Sequence, residues 1–322
     1  MSILVCGGAG YIGSHMVAYL IEKGHDVIIL DNLSTGHKKA ILGGKLYIGD
    51  LKDKEFLNKV FDENNIESVI DFAAFSLVGE SVSNPLKYFE NNIVSTIHLL
   101  HVMKTHNVKY IVFSSTAATY GEPGKIPILE NDGTIPTNPY GESKLAVEKI
   151  LKWCDKAYGI KYTSLRYFNA AGAHINSKIG ENHNPETHLI PIILDVALGK
   201  REKIIIFGED YPTKDGTCIR DYIHVSDLAS AHLLALERLK NGGDSSIYNL
   251  GNEKGFSVKE IIEATKKITG KEIKSEIGKR RSGDPAILIA SSKKAKEELN
   301  WEPKFSDINT IIKTAWNWHC IR

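Results

Sequence analysis

Apolar residues gather along this chain in two alternating rhythms. Short β-branched or apolar runs occur at Ile3–Val5, Val27–Leu30, Leu46–Ile48, Ser68–Phe72, Tyr110–Phe113 and Tyr162–Arg166, and these read as strands. Between them, Tyr11–Lys23, Lys54–Asn64, Pro85–His106 and Pro139–Tyr158 carry apolar residues at helical spacing. Two of the four begin with proline, whose missing N–H costs nothing in a first turn. The alternation predicts βαβ units: an α/β fold built on a doubly wound parallel sheet of the Rossmann kind.

After about residue 170 the pattern loosens into Gly, Asn, His and Pro between Ala171 and Pro191, followed by helices and short strands without strict alternation. The expected organisation is therefore a dinucleotide-binding domain over 1–170 and a smaller mixed α/β substrate domain over 171–322. One strand complicates the division. Ser246–Leu250 follows the helical stretch Ser226–Lys240 and can return to the first sheet, making the two domains interleave.

Composition narrows the partners. Across 322 residues, 40 basic and 39 acidic side chains leave a net charge of +1, so no global field gathers nucleic acid or coats an anionic membrane. Anionic ligands must be held by local groups. Cys6, Cys154, Cys218 and Cys320 are far apart and form no CxxC or Cys/His cluster, which argues against a disulfide framework or a structural metal. The histidines, His188 and His224 among them, lack ligand spacing and read as polar or packing residues, so no metal is expected. No charged and apolar leader precedes the first strand, and no apolar run approaches the roughly 18 to 20 residues of a membrane span. A cytoplasmic protein is the expectation.

Two local patterns carry chemistry. Gly7, Gly10 and Gly13 stand at GxxGxxG spacing, directly after a strand and at the opening of a helix. Glycine there permits a tight turn and lets the backbone approach a pyrophosphate, while the helix start offers free N–H groups and partial positive charge. Asp31 ends the second strand about twenty residues on, where a carboxylate accepts both ribose hydroxyls and repels the 2′-phosphate of NADP, so NAD is the expected cofactor. Asp50 and Leu51 follow the third strand, where an adenine-side contact and a simple helix cap are equally consistent with the spacing.

The second pattern is Tyr140 and Lys144, four residues apart and hence on one helix face. A free phenol titrates near 10, so serving as a base near neutrality requires a shift of roughly three units, about 4 kcal/mol. A cation at about 4 Å contributes on the order of 4 kcal/mol at an effective dielectric near 20, which gives Lys144, aided by a positive nicotinamide, the right magnitude. YxxxK alone arises readily by chance. Here the fifth strand ends in Ser114-Ser115-Thr116, bringing hydroxyls to the sheet edge where such folds bind ligands, and Thr116 can hydrogen-bond the oxygen that Tyr140 deprotonates.

Together these features resemble the extended short-chain dehydrogenase/reductase family. Further segments narrow the resemblance to its UDP-glucose 4-epimerase branch: Val78-Gly-Glu-Ser81, Pro85-Leu86, Asn91-Asn92, Asn138 to Gly141, Arg166 to Ala170, Gly208 to Asp221 and Arg280 to Asp284. The resemblance implies NAD contacts from Tyr11, Ile12, Asp31, Asn32, Asp50, Leu51, Phe72, Ala73, Ala74, Ser76, Asn91, Tyr140, Lys144 and Phe168. It implies UDP-sugar contacts from Thr116, Tyr140, Asn169, Leu189, Phe207, Arg220, Arg281, Asp284 and Leu288. Arginines suit a pyrophosphate and Phe207 can lie against uracil. Without the family, Arg280 and Arg281 would read as a solvated pair.

Three positions bear on how closely this chain follows the family. Ser76 stands where many members have lysine, so one charged cofactor contact is absent, and Thr116 stands where serine is common, which keeps the hydroxyl. Leu288 occupies a position whose size is thought to govern access of N-acetylated sugars, and leucine leaves that open. The implied reaction is C4 epimerisation of UDP-glucose and UDP-galactose through a 4-keto sugar, with NAD recycled. Alternatives are another UDP-sugar such as an N-acetylhexosamine, a non-catalytic NAD-binding protein, or a 4,6-dehydratase. The dehydratases usually place an Asp-Glu pair where this chain has Ala117-Ala118. Helices Pro85–His106 and Pro139–Tyr158 resemble the pair through which family members form homodimers.

Overall fold

The computed structural model describes residues 1–281 and 284–322. Strands β1 (Ser2–Cys6), β2 (Val27–Asp31), β3 (Lys45–Ile48), β4 (Ile66–Asp71), β5 (Tyr110–Thr116) and β6 (Lys161–Tyr167) alternate with helices α1 (Tyr11–Glu22), α2 (Lys54–Asp62), α3 (Val78–Ser83), α4 (Pro85–Phe89), α5 (Ser95–Thr105) and α6 (Pro139–Tyr158). Along β1, Ile3 and Val5 pack into one apolar cluster while Leu4 and Cys6 pack into another on the opposite face. Both faces of the sheet are thus covered by helices, which is why its strands read as unbroken apolar runs.

The remaining elements are β7 (Asn169–Ala171), α7 (Leu189–Ala197), β8 (Ile204–Phe207), β9 (Ile219–His224), α8 (Val225–Lys240), β10 (Ser246–Leu250), β11 (Gly255–Ser257), α9 (Val258–Thr269), β12 (Ser275–Gly278), β13 (Ile287–Leu288), α10 (Lys293–Leu299) and α11 (Ile308–His319). Among the described residues the main sheet has seven strands, all parallel, in the order β10-β6-β5-β4-β1-β2-β3. The sequence rhythm predicts six. The seventh is β10, which crosses back from the C-terminal half to pair with β6, Leu250 opposite Tyr167. Strand order reverses between β1 and β4, so the carboxyl ends of these two strands flank the crevice where doubly wound sheets hold ligands. A smaller lobe forms around β7, β9, β11 and β13, with the β8–β12 pair and helices α7, α9 and α11 packed around their own apolar cluster.

One sequence expectation needs correcting. Pro85–His106 is not a single regular helix: α4 and α5 are joined by a π-helical turn over Glu90–Val94. The Asn92 side chain holds the distortion in place. Its amide oxygen accepts from the Phe75 N–H at 2.9 Å, and its nitrogen donates to the Phe75 carbonyl and to Ser143 Oγ at 3.1 and 3.0 Å. Such one-turn bulges recur at functional sites, and here the bulge turns Asn91 toward the crevice.

Candidate active site

A single continuous cavity opens at the switch point. Its wall includes Gly7, Gly10, Tyr11, Ile12 and Gly13 from the glycine turn and α1, Asp31 and Asn32 after β2, and Asp50 and Leu51 after β3. Phe72, Ala73, Ala74 and Ser76 line it from the segment after β4, with Asn91, Thr116, Tyr140, Lys144 and Phe168 beyond. Every residue assigned to the cofactor from sequence therefore faces one space.

The glycine turn packs the start of α1 closely against the end of β1. A Cβ on Gly13 would stand 2.1 Å from the Gly7 carbonyl oxygen, so any side chain would push α1 away from β1. The Asp31 carboxylate braces the turn: Oδ2 accepts from the Ala9 N–H at 2.9 Å and Oδ1 from the Leu33 N–H at 2.8 Å. Asn32 donates to Asp50 Oδ2 at 3.0 Å, linking the loops after β2 and β3. Asp50 Oδ1 in turn accepts from the Lys52 N–H at 2.8 Å, which makes this residue a loop cap that also faces the cavity.

The catalytic candidates converge because α6 starts where it does. Asn138 caps the helix by accepting from the Gly141 N–H at 2.9 Å, and Pro139 opens its first turn. A Cβ on Gly141 would lie 2.5 Å from the Ala118 carbonyl, so only glycine allows the helix to press against the chain just after β5. That contact sets Tyr140 beside Thr116. The Thr116 hydroxyl accepts from the Ala118 N–H at 3.1 Å and lines the same cavity as the Tyr140 phenol. One turn on, Lys144 is buried and donates to the Ser114 carbonyl at 2.8 Å.

Burial dominates the electrostatics. It raises the Tyr140 phenol above its ordinary value, opposed by the nearby Thr116 hydroxyl. It lowers Lys144 to about 8, partly offset by the charges of Asp71 and Glu148. It raises Asp71 to about 6, against the pull of Lys144. Asp71, the last residue of β4, was not singled out from sequence; an acid inside an apolar run gives no sign that it will face a lysine 73 positions later. Without a bound cation, Tyr140 stays a neutral phenol at neutral pH, and a positive ligand beside it is needed to make it a base.

The sugar-nucleotide residues divide. Asn169 and Leu189 line the same cavity as Thr116 and Tyr140, and Asn169 is fixed by donating to the Asp221 carbonyl at 3.0 Å. Phe207, Arg220, Arg281, Asp284 and Leu288 do not line it; they gather in the smaller lobe. There, Arg220 is ion-paired with Asp284, Leu288 lies opposite Arg220 across β13 and β9, and the Arg281 guanidinium sits 4.1 Å from the centre of the Phe207 ring. Ser282 and Gly283 of the Arg280 to Asp284 segment lie outside the described residues.

Sequence reading also passed over a group of four. Glu181, His183, Glu186 and His188 come together in the loop before α7, and Glu181, His183 and His188 face the cavity. Burial alone would lower His183, but the adjacent carboxylates of Glu181 and Glu186, 3.1 and 3.8 Å from its Nδ1, raise it to about 10. His188, read from sequence as polar or packing, is raised likewise by Glu181 against burial. The signal was present in the run E-x-H-x-x-E-x-H, but its irregular spacing belongs to no familiar ligand pattern. His224 is buried and caps α8, accepting from the Ser226 N–H at 3.0 Å.

The sequence matches the NAD dependent epimerase/dehydratase family over residues 3–251. A UDP-glucose 4-epimerase of Halalkalibacterium halodurans is 60% identical over 319 residues, covering 99% of this chain and 96% of that protein. A crystal structure of a UDP-glucose 4-epimerase superposes with a TM-score of 0.98 at 57% identity, covering 99% of this chain and 98% of the other. The Bifidobacterium longum UDP-glucose 4-epimerase, solved in complex with NAD+ and UDP, superposes at 0.95 with 41% identity, covering 99% and 98%. With a glycine turn, a ribose-side acid and a Thr/Tyr/Lys set on one doubly wound sheet, the chain belongs to the NAD dependent epimerase/dehydratase family.

Proposed function

We infer that this chain is an isomerase that interconverts UDP-glucose and UDP-galactose by inverting C4 of the hexose. The observation that carries this reading is the convergence of Thr116, Tyr140 and Lys144 on the cavity that the glycine turn and Asp31 also line. NAD fits these residues: the glycine turn opens α1 at the wall of the cavity, where free N–H groups suit a pyrophosphate, and Asp31 lines the same cavity with a carboxylate that suits ribose hydroxyls and repels a 2′-phosphate. Tyr11, Ile12, Asp31, Asn32, Asp50 and Leu51 would hold its adenosine half, and Phe72, Ala73, Ala74, Ser76, Asn91, Lys144 and Phe168 the remainder. When bound, NAD supplies a reversible hydride acceptor for C4 of the sugar.

Tyr140 takes the proton of the sugar 4-hydroxyl as C4 is oxidised and returns it when C4 is reduced from the opposite face. Thr116 bonds the same oxygen and holds it against the phenol. Lys144, anchored by the Ser114 carbonyl, would add its positive charge to that of a bound nicotinamide in lowering the phenol toward neutrality. The 4-ketose turns over between the two transfers, so the site must grip the nucleotide and leave the hexose loose. Arg220, Arg281, Asp284 and Phe207 suit the diphosphate and uracil, Asn169 and Leu189 line the path between, and Leu288 borders the sugar. The Arg220–Asp284 pair holds the guanidinium in place ahead of binding.

In this reading the chain divides near residue 170, with β10 contributed from the second half, the first part holding the cofactor and the catalytic set and the second most of the nucleotide-sugar contacts. We read the protein as cytoplasmic; among the described residues no helix is long and apolar enough to cross a membrane. A homodimer through α4–α5 and α6 is supported by exposed Leu86 and Trp153 on these helices, and light scattering at micromolar concentration tests it. The activity is tested by following the anomeric protons of UDP-galactose with the purified protein and no added cofactor. UDP-glucose should appear; no conversion, even after NAD is supplied, overturns the assignment.

A further inference from the structure

The loop between β7 and α7 brings together one ligand-capable atom from each of Glu181, His183, Glu186 and His188, all within 4.8 Å of one another. Both carboxylates are withdrawn from water, with side-chain exposures of 4% for Glu181 and 7% for Glu186. Glu186 Oε1 accepts from the N–H groups of Thr187 and His188 at 2.8 and 3.0 Å. Those bonds aim Oε2 inward, where it is buried without a hydrogen-bond partner. An orphaned carboxylate oxygen in such a place carries a desolvation penalty that something must relieve. Among the described residues no lysine or arginine pairs with either acid; their ion-pair partners are His183 and His188.

We propose that Glu181, His183, Glu186 and His188 form a binding site for one divalent transition-metal ion, with zinc the best match. Two imidazoles and two carboxylates suit borderline cations; magnesium and calcium prefer all-oxygen shells, and monovalent copper prefers sulfur. Both rings turn Nδ1 toward the acids. His183 Nδ1 stands 3.1 Å from Glu181 Oε1 and 3.8 Å from Glu186 Oε2. Tetrahedral zinc, with bonds of about 2.0–2.2 Å, sets its ligand atoms roughly 3.3–3.5 Å apart, so the widest-spaced donors, up to 4.8 Å apart, must draw in by about 1 Å and the direct His188–Glu181 contact must open to admit the ion. The charge balances: the two carboxylates neutralise a divalent ion.

The site would position the cavity wall rather than take part in the chemistry at C4. His183 lies edge-on to the Tyr11 ring, 6.1 Å between centroids, and His188 is the residue from which α7 and Leu189 begin. The Glu181 carbonyl accepts from Trp318 Nε1 and Arg322 Nη1, both at 3.0 Å, and the Asn182 carbonyl bonds His37 Nε2 at 2.8 Å. One ion would therefore tie the start of α1, the loop after β2, the start of α7 and the C-terminal helix to a single point.

The test uses the full chain without an affinity tag, stripped with a chelator, exposed to zinc and gel-filtered before elemental analysis. About one zinc per chain is expected, falling at least tenfold in His183→Gln and Glu186→Gln. Cobalt titration of the stripped native protein needs no variant: intense visible bands of tetrahedral Co2+ should saturate at about one equivalent and vanish on adding zinc. Zinc below about a tenth of an equivalent, unchanged zinc in the Glu186→Gln protein, or only the weak bands of octahedral cobalt would each overturn the site.

Discussion

Lys144 donates its ammonium to the main-chain carbonyl of Ser114 at 2.8 Å, across the gap between α6 and the end of β5. The bond fixes the cation by a strand rather than by another flexible side chain, and a neutral carbonyl leaves its charge intact within the cavity that Tyr140 also lines. Asp71, from the neighbouring strand, supports that charge at longer range. A lysine held by a carboxylate in direct contact would do less for the phenol.

Tyr140→Phe removes the proton acceptor and keeps the ring. Turnover should fall by about 10²- to 10⁴-fold, with NAD content and the melting temperature nearly unchanged. Unimpaired turnover would refute the assigned base.

Asp71→Asn tests the electrostatics. Lys144 lies at about 8 with Asp71 beside it, and the carboxylate favours the ammonium. The charged form is present below that value and lost above it, so removing the anion must lower it further. The alkaline limb of kcat/KM against pH should move to more acid values in the variant. A limb that stays in place, or moves the other way, would show that Asp71 does not support the cation.

Gly13→Ala places a methyl 2.1 Å from the Gly7 carbonyl oxygen, where no rotamer offers escape. The turn must open, and the purified variant should carry little or no NAD, as read by absorbance of the denatured supernatant. Stability should drop by a few kcal/mol as well.

Arg166 and Glu148 form a buried two-point ion pair, Nε to Oε1 at 2.9 Å, with Tyr120 Oη on the same guanidinium at 2.9 Å. Both side chains are 4% exposed, so removing one strands the other's charge. Glu148→Gln should destabilise the chain by roughly 3–5 kcal/mol in denaturant unfolding. A loss under about 1 kcal/mol would mean that water reaches the pair.

What could be read in the sequence was what depends on near neighbours. The GxxGxxG turn, Asp31 and the Tyr140/Lys144 pair declare themselves within one strand–turn–helix unit or one helix face, and the cavity gathers them as expected. The π-helical turn at Glu90–Val94 was not legible, because its cause is a contact between Asn92 and Phe75, residues apart in sequence. Asp71 was hidden for the same reason: its partner is set by the order of β4 and β5 in the sheet. The Glu181 to His188 group is local in sequence, yet only the folded loop shows which atoms of it meet.

The central claim is that C4 is inverted by a hydride that leaves and returns within one site. It is tested most directly with UDP-galactose carrying deuterium at C4, incubated with the protein in ordinary water. UDP-glucose that keeps its deuterium at C4 is the predicted result. Product with that deuterium replaced by solvent hydrogen would contradict the account, because inversion would then proceed by loss of a proton rather than by a retained hydride.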